Sequence, residues 1–274
     1  MDIKDFDFYK SLLRKKTGLY IGPAKSSLLS SRLTPIAKKW GYSNINMLTV
    51  ALRSLPEESL VDDVVEEMMD LQTSFFRDSE AFDQLCDKII PELAKIKRKD
   101  DRLLNIWSCG CSTGQETYSL KIMMQESPLY DTLRGLTRNI YATDISREAI
   151  RKAEAGSYSQ HEVQDGLPVQ LLTKHFEQNE KTWTIHPQMK RFINFTHSNL
   201  IEKQPLKYKS DIILCRNLIG AMAYDVQEDI LSYLAGQLQP HGYILFGIGE
   251  DIPEINTYFE PWDEAAGIYI LKKD

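Results

Sequence analysis

The sequence predicts an α/β protein: a mostly parallel sheet with helices on its faces, preceded by an all-helical front segment. Three observations carry this. From residue 100 onward, short apolar runs alternate with helical patterns. Leu103–Trp107, Glu116–Gln125, Asn139–Thr143 and Arg147–Ala155 read strand, helix, strand, helix, the order of parallel strands joined by crossover helices. The first strand-to-helix turn, residues 108–114, is Ser-Cys-Gly-Cys-Ser-Thr-Gly. Small residues there let backbone approach a nucleotide-like ligand at a helix N-terminus. Before Leu71, apolar residues recur at helical spacing.

Taken in order, Asp5–Lys15 places Phe6, Tyr9 and Leu13 on one face. Gly18–Pro23 breaks that helix. Ser26–Trp40 follows with Leu29, Leu33, Ile36 and Trp40 on a stripe, and Pro35 predicts a kink or an end. Asn44 caps a short helix carrying Met47, Leu48, Ala51 and Leu52. Glu57–Leu71 completes a front unit of about 70 residues, too thin to be an enzyme alone and suited to docking. Thr73-Ser-Phe-Phe-Arg-Asp78 opens a linker helix, with Asp78 as cap and Phe82, Leu85, Ile89 and Leu93 buried. Core packing is the plain fate of Phe75 and Phe76, and a surface ion pair that of Arg77. After Ala155 the alternation lapses. A short helix (168–176) is followed by two alternating runs, Thr182–His186 and Arg191–Thr196, read as an inserted antiparallel hairpin, with Phe192–Thr196 returning to the main sheet. Strand Asp211–Cys215, a helix through Ile230, Leu231, Leu234 and Leu238, a Pro240–Gly242 turn, and strands Tyr243–Ile248 and Ile268–Leu271 close the chain.

Composition limits the function. The 274 residues allow one large or two modest domains, and 42% apolar content is ample for a core. No run approaches a membrane span and MDIKDFDFYK lacks a signal-peptide core, so a cytoplasmic protein without membrane insertion is expected. Cys86, Cys109, Cys111 and Cys215 fit no paired metal spacing; reduced thiols and no metal are expected. A net charge of −6 argues against a nucleic-acid partner. The charge is segregated: Phe8–Pro56 holds nine basic and no acidic residues, whereas Glu57–Asp70 holds seven acidic and no basic ones. Such a front suits an acidic partner, though solvated helix faces explain charge runs equally well.

Asp144, at the end of the second strand, stands where an acid binds ribose hydroxyls. Gly110 and Gly114 do not have dinucleotide spacing, which argues against a dehydrogenase. By itself the pair of features fits a turn in any α/β domain. Further pieces occur in order: Thr73-x-Phe-Phe-Arg77, Gly-Cys-Ser-Thr-Gly-x-Glu116-x-Tyr-Ser119, Thr143-Asp-Ile145, Ser198-Asn-Leu200, Cys215-Arg-Asn217 and Gly247-x-Gly-Glu250. On these the sequence resembles the CheR-type methyltransferases, which methylate glutamate side chains of chemotaxis receptors using S-adenosylmethionine.

The resemblance covers nearly the whole chain. It implies a Rossmann-like, seven-stranded methyltransferase sheet with its last strand antiparallel and an inserted small antiparallel β-subdomain. It divides the chain into a helical recognition domain (1–72), a linker helix (73–99) and a methyltransferase domain (100–274) with the insert at about 160–197. Thr73 and Arg77 would reach the cofactor from the linker, and the loop with Gly110, Ser112 and Gly114 would pass its methionine part. Glu116 and Asp144 would bind its polar groups. Asn199, Leu200, Arg216 and Asn217 would frame the adenine and sulfonium side. Arg77 would also orient the substrate carboxylate.

The chain departs from the family after Cys-Arg-Asn. The run is Leu218-Ile-Gly220-Ala221-Met222, so Ala221 stands where a tyrosine near the transferred methyl is usual. Tyr224, three residues on, is the substitute candidate. Position 71 is Leu where some relatives carry asparagine, and Gln115-Glu-Thr-Tyr118 replaces Glu-Glu-Pro-Tyr. The expected partner is the acidic, cytoplasmic helical domain of a receptor, docked through Lys10–Lys39. The alternatives are a cofactor-binding docking protein with weak or no activity, which Ala221 favours, and a nucleic-acid methyltransferase. Against the latter stand the net charge and the lack of an Asn/Asp-Pro-Pro-Tyr-like motif.

Overall fold

The computed structural model describes residues 3–54, 56–97, 102–128 and 136–273. The chain forms two compact units, Met1–Asp70 with Ala221–Val226, and Leu71–Gly220 with Gln227–Asp274.

The first unit contains helices α1 (Ile3–Thr17), α2 (Ser26–Lys39), α3 (Ile45–Ser54) and α4 (Glu58–Met68). Tyr9, Leu13, Leu29, Leu33, Leu48 and Val64, at the helical spacing read above, are fully buried. Asn44 caps α3 by accepting the Met47 amide through Oδ1 at 3.0 Å. Pro35 does not end α2, which continues to Lys39. Pro35 and Ser31, whose carbonyl loses its amide partner, both lie on the exposed face, where solvent serves that carbonyl. The segregated charges partly meet within this unit. Lys39 Nζ lies 2.8 Å from Asp63, which also accepts the Trp40 indole N–H at 2.7 Å. Residues 221–226 join the unit by backbone pairing: Tyr20 donates to the Ala221 carbonyl and Ala223 to that of Gly18, each at 2.9 Å.

The second unit opens with α5 (Ser79–Gln84), a π-helical turn (Leu85–Ile89) and α6 (Ile90–Lys97). Their buried stripe of Phe82, Leu85, Ile89 and Leu93 packs on Leu104, Ile106, Ile140, Ile212 and Leu245 of the sheet. The expected end of the linker at Lys99 and the start of the next domain at Asp100 lie outside the described residues. Strand β1 (Leu103–Cys109), α7 (Gln115–Glu126), β2 (Thr137–Asp144) and α8 (Arg147–Ala155) follow the expected alternation. The insert comprises β3 (Ser157–Ser159), α9 (Gln160–Gln164), α10 (Val169–His175), β4 (Phe176–Asn179) and β5 (Thr182–Ile185). Then come β6 (Ile193–His197), β7 (Ser210–Leu214), α11 (Tyr224–Gln237), β8 (Leu238–Leu245), α12 (Ile255–Tyr258), β9 (Phe259–Asp263) and β10 (Ile268–Leu271).

The main sheet has seven strands in the order β6-β2-β1-β7-β8-β10-β9. All pairs are parallel except those of β10, which runs antiparallel to both β8 and β9. This is the sheet the resemblance implies. A separate three-stranded antiparallel sheet, β3-β5-β4, forms the insert.

Two readings need correction. The hairpin partner of Thr182–Ile185 is Phe176–Asn179, not Arg191–Thr196, which supplies β6 alone. Glu180 turns the hairpin at φ 50°, so no glycine is needed. Pro240–Gly242 is no turn; it lies inside β8, where the register with β7 shifts. Strand β9 escapes sequence reading because Phe-Glu-Pro-Trp-Asp has a proline and acids. As an edge strand it can spare the missing N–H.

Candidate functional site

The candidate residues of the second unit gather at the C-terminal ends of β1, β2, β6 and β7, where open α/β sheets bind ligands. The loop after β1 turns sharply: Gly110, Ser112 and Gly114 have φ of 71°, 47° and 92°. Glycine is the natural choice at two of these positions, since side chains disfavour positive φ. The amides of Gly110 and Cys111 both donate to the Thr143 carbonyl, at 2.8 and 2.9 Å, fastening the loop to the end of β2.

Asp144, the last residue of β2, is 8% exposed. Its Oδ2 accepts the Ser112 amide at 2.8 Å and its Oδ1 the Ser146 amide at 2.9 Å. Burial pushes its carboxyl above the usual range, and the amide bonds from Ser146 and Ser112 only partly offset this. Each oxygen keeps a lone pair beyond these bonds, so the ionised group remains an acceptor for hydroxyl donors.

Across β1 from it, Arg216 follows β7. Its side chain is 1% exposed. Nη1 donates to Glu116 Oε2 at 2.8 Å and to the Arg77 carbonyl at 3.1 Å, Nη2 pairs with Asp78, and the guanidinium stacks over Phe82 at 5.4 Å. Its Nε has no hydrogen-bond partner among the described residues. Burial raises the Glu116 carboxyl above its ordinary range, against the pull of Arg216 and Arg77. Asp78 occupies the N-cap position of α5 but caps nothing; at φ 51° it turns its carboxylate to Arg216. That partnership was not read from the sequence, where Asp before Ser-Glu looks like a cap. The signal available was Arg216 itself, since a buried guanidinium requires acids.

Thr73 is half-buried and the Arg77 side chain is exposed. Phe75 is core, and the Phe76 amide donates to Ser119 Oγ at 2.9 Å. Asn199 accepts the Ile201 amide at 3.3 Å and so caps a one-turn helix. Asn199 and Leu200 line a cavity of about 370 Å³ that runs down the sheet face past Thr143 and Tyr141 to Asn105. Asn217 sits at φ 57°, its amide on Glu250. Tyr224 belongs to the helical unit at the start of α11 and is 65% exposed. Cys109, Cys111 and Cys215, around the same loops, are buried free thiols.

The site is anionic and hydroxyl-accepting: Asp78 and Glu116 pair with one buried guanidinium, and Asp144 stands separately on backbone amides at the tip of β2. It fits a ligand that carries positive charge and a ribose. The seven-stranded sheet with its antiparallel β10 is the architecture of the S-adenosylmethionine-dependent methyltransferases, and the family match gives the same class. Residues 71–268 match the family model of the "CheR methyltransferase, SAM binding domain". The chain belongs to the CheR methyltransferase family. It is 30% identical over 273 residues to "Chemotaxis protein methyltransferase 1" of Pseudomonas aeruginosa, covering 98% of each chain. To the Vibrio cholerae protein of the same name it is 32% identical over 251 residues, covering 90% of this chain and 89% of that one. It is 29% identical to "Chemotaxis protein methyltransferase Cher2" of Pseudomonas putida, covering 98% of each chain.

Proposed function

We propose that this protein transfers the methyl group of S-adenosylmethionine to glutamate side chains of chemotaxis receptors. The observation that carries the reading is Asp144, a buried carboxylate held by two backbone amides at the tip of β2 with acceptor capacity left over. The names of the relatives support the receptor half. When bound, the cofactor supplies an electrophilic methyl on a sulfonium. A glutamate carboxylate has a reference pKa of about 4.3 and is already a nucleophile at neutral pH. No general base is required, so the protein's work is alignment and partial desolvation of the carboxylate.

Asp144 accepts ribose hydroxyls in this reading. The loop Gly110–Gly114 and Thr73 line the methionine part, while Asn199, Leu200 and Asn217 bound the adenine and sulfonium side. Glu116 balances the cofactor's positive charge. Arg216 holds Glu116, Asp78 and the Arg77 backbone in place, and the exposed Arg77 guanidinium orients the substrate carboxylate through its planar fork. Such receptors present their methylated helices in the cytoplasm, where the protein would act. Among the described residues no helix is long and apolar enough to cross a membrane.

A second reading follows from Ala221: a cofactor-binding docking protein with little turnover. Labelled methyl transfer from S-adenosylmethionine to receptor-containing membranes separates the two. Base-labile label, released as methanol, is the expected result and marks a methyl ester. Cofactor binding by calorimetry with no label, on membranes that an active relative methylates, would overturn the methyltransferase reading in favour of the docking one.

A further inference from the structure

The Gly247-x-Gly-Glu250 stretch after β8 has no part in the site described so far, yet its carboxylate reaches the loop that follows β7. Glu250 Oε2 accepts the Asn217 amide at 2.7 Å and the Gly247 amide at 2.6 Å, and Oε1 accepts the Gly220 amide at 3.1 Å. Three backbone N–H groups from two loops thus converge on one side chain, the strong, charge-assisted form of the bond. Asn217, between them, is in the left-handed conformation at φ 57°, which asparagine tolerates better than other side chains and which the bond to Glu250 fastens. Gly247 completes the arrangement. A Cβ on it would lie 2.5 Å from Asn217 Nδ2 and 2.8 Å from Glu250 Oε2. The asparagine side chain therefore occupies the space that a glycine vacates.

We infer that Glu250 is the positioning residue for Asn217: it fixes the backbone that aims the Asn217 amide into the cofactor site, and Gly247 leaves the room for that amide. This rests on the reading of Asn217 as a cofactor contact. Glutamate suits the task because its two oxygens are both acceptors. Glutamine offers one oxygen and turns an NH₂ toward at least one of the three amides, so the clamp loses a bond and meets a repulsive donor. Substitution at Gly247 acts from the opposite side, by pushing both the Asn217 side chain and the Glu250 oxygen that holds its backbone.

The experiment measures S-adenosylmethionine affinity by calorimetry on the full chain for wild type, Glu250→Gln, Asn217→Ala and the double variant, with thermal melting alongside. Asn217→Ala and Glu250→Gln should each weaken binding by roughly tenfold, the scale of one lost hydrogen bond. The double variant should be no weaker than Asn217→Ala, because Glu250 acts through that side chain. Gly247→Ala should weaken binding as well, and it carries the test if Glu250→Gln melts below the assay temperature. Weakened binding by Asn217→Ala with wild-type affinity in Glu250→Gln and Gly247→Ala, or full additivity in the double variant, overturns the role of Glu250 and leaves the Asn217 reading standing. Wild-type affinity in Asn217→Ala overturns that reading, and with it any action of Glu250 through this residue.

Discussion

At the scale of single residues, Arg216 holds the site together more than any other side chain. It lies nearly inaccessible between Asp78 and Glu116 and also bonds the Arg77 carbonyl, so it ties the start of the linker helix to α7 and to the end of β7. Removing one member of a buried ionic cluster costs more than its formation contributed, because the remaining charges stay buried without a partner. Arg216→Ala leaves two carboxylates facing each other across a cavity. The expected loss is about 3–5 kcal/mol of stability, the usual range for breaking a buried pair. Arg216→Lys keeps the charge but has no planar fork to span three acceptors, and should lose less. Urea unfolding of the three proteins checks this; an unchanged midpoint in Arg216→Ala would refute it.

At the scale of elements, the reach of sequence reading follows burial. Strand β1 is buried from Leu104 to Cys109 and reads as an apolar run, β2 shows itself through its buried end at Ile140–Asp144, and Ser146 caps α8 by accepting the Ala149 amide at 3.1 Å. The loop after β1 was legible too, since its glycines stand at positive φ. The insert was half legible: β3 is three polar-flanked residues, and β4 is exposed beyond Phe176, so neither shows a period. Asp78 and Arg216 are 138 residues apart, and no local pattern signals a pair at that separation. The basic α2 and acidic α4 were legible as charges but not as partners. Here Asp63 gives a pH test. Burial alone would raise its carboxyl, but hydrogen bonds from Lys39 and Trp40, with the Lys39 charge, outweigh it and hold the carboxyl below the usual range. A folded-state value below the unfolded one stabilises above the unfolded value, about 3.9, and that stabilisation is lost as pH falls through the folded value. The stability difference between wild type and Asp63→Asn should therefore be present at pH 7 and shrink below about pH 4. Unfolding at pH 7, 5, 4 and 3 measures it; a difference that ignores pH would show that the charge plays no part.

At the scale of the whole molecule, the question is what the basic front contributes once its internal bonds are set aside. Arg14 pairs with Asp225 at 2.5 Å, Arg32 donates to the carbonyls of Glu67 and Met69, and Lys39 is committed to Asp63. These three serve the helical unit itself. Lys38, next to Lys39 at the exposed end of α2, has no such bond among the described residues, so its charge can be reversed without breaking one. If the segment Lys10–Lys39 docks on the acidic helices of a receptor, its charges steer the encounter and act mainly on association. Lys38→Glu should then raise the apparent KM for receptor severalfold at low salt and leave cofactor affinity unchanged. Raising ionic strength toward 0.5 M should bring variant and wild type together, because exposed charges are screened over about 10 Å already at 0.1 M. A salt-independent defect would point to lost packing in α2 rather than to docking. Receptor kinetics that match wild type at low salt would remove Lys38 from the interface. Lys39→Glu is the informative control: it breaks the pair with Asp63, so it should lower stability as well as affinity, and only the affinity part should vanish with salt.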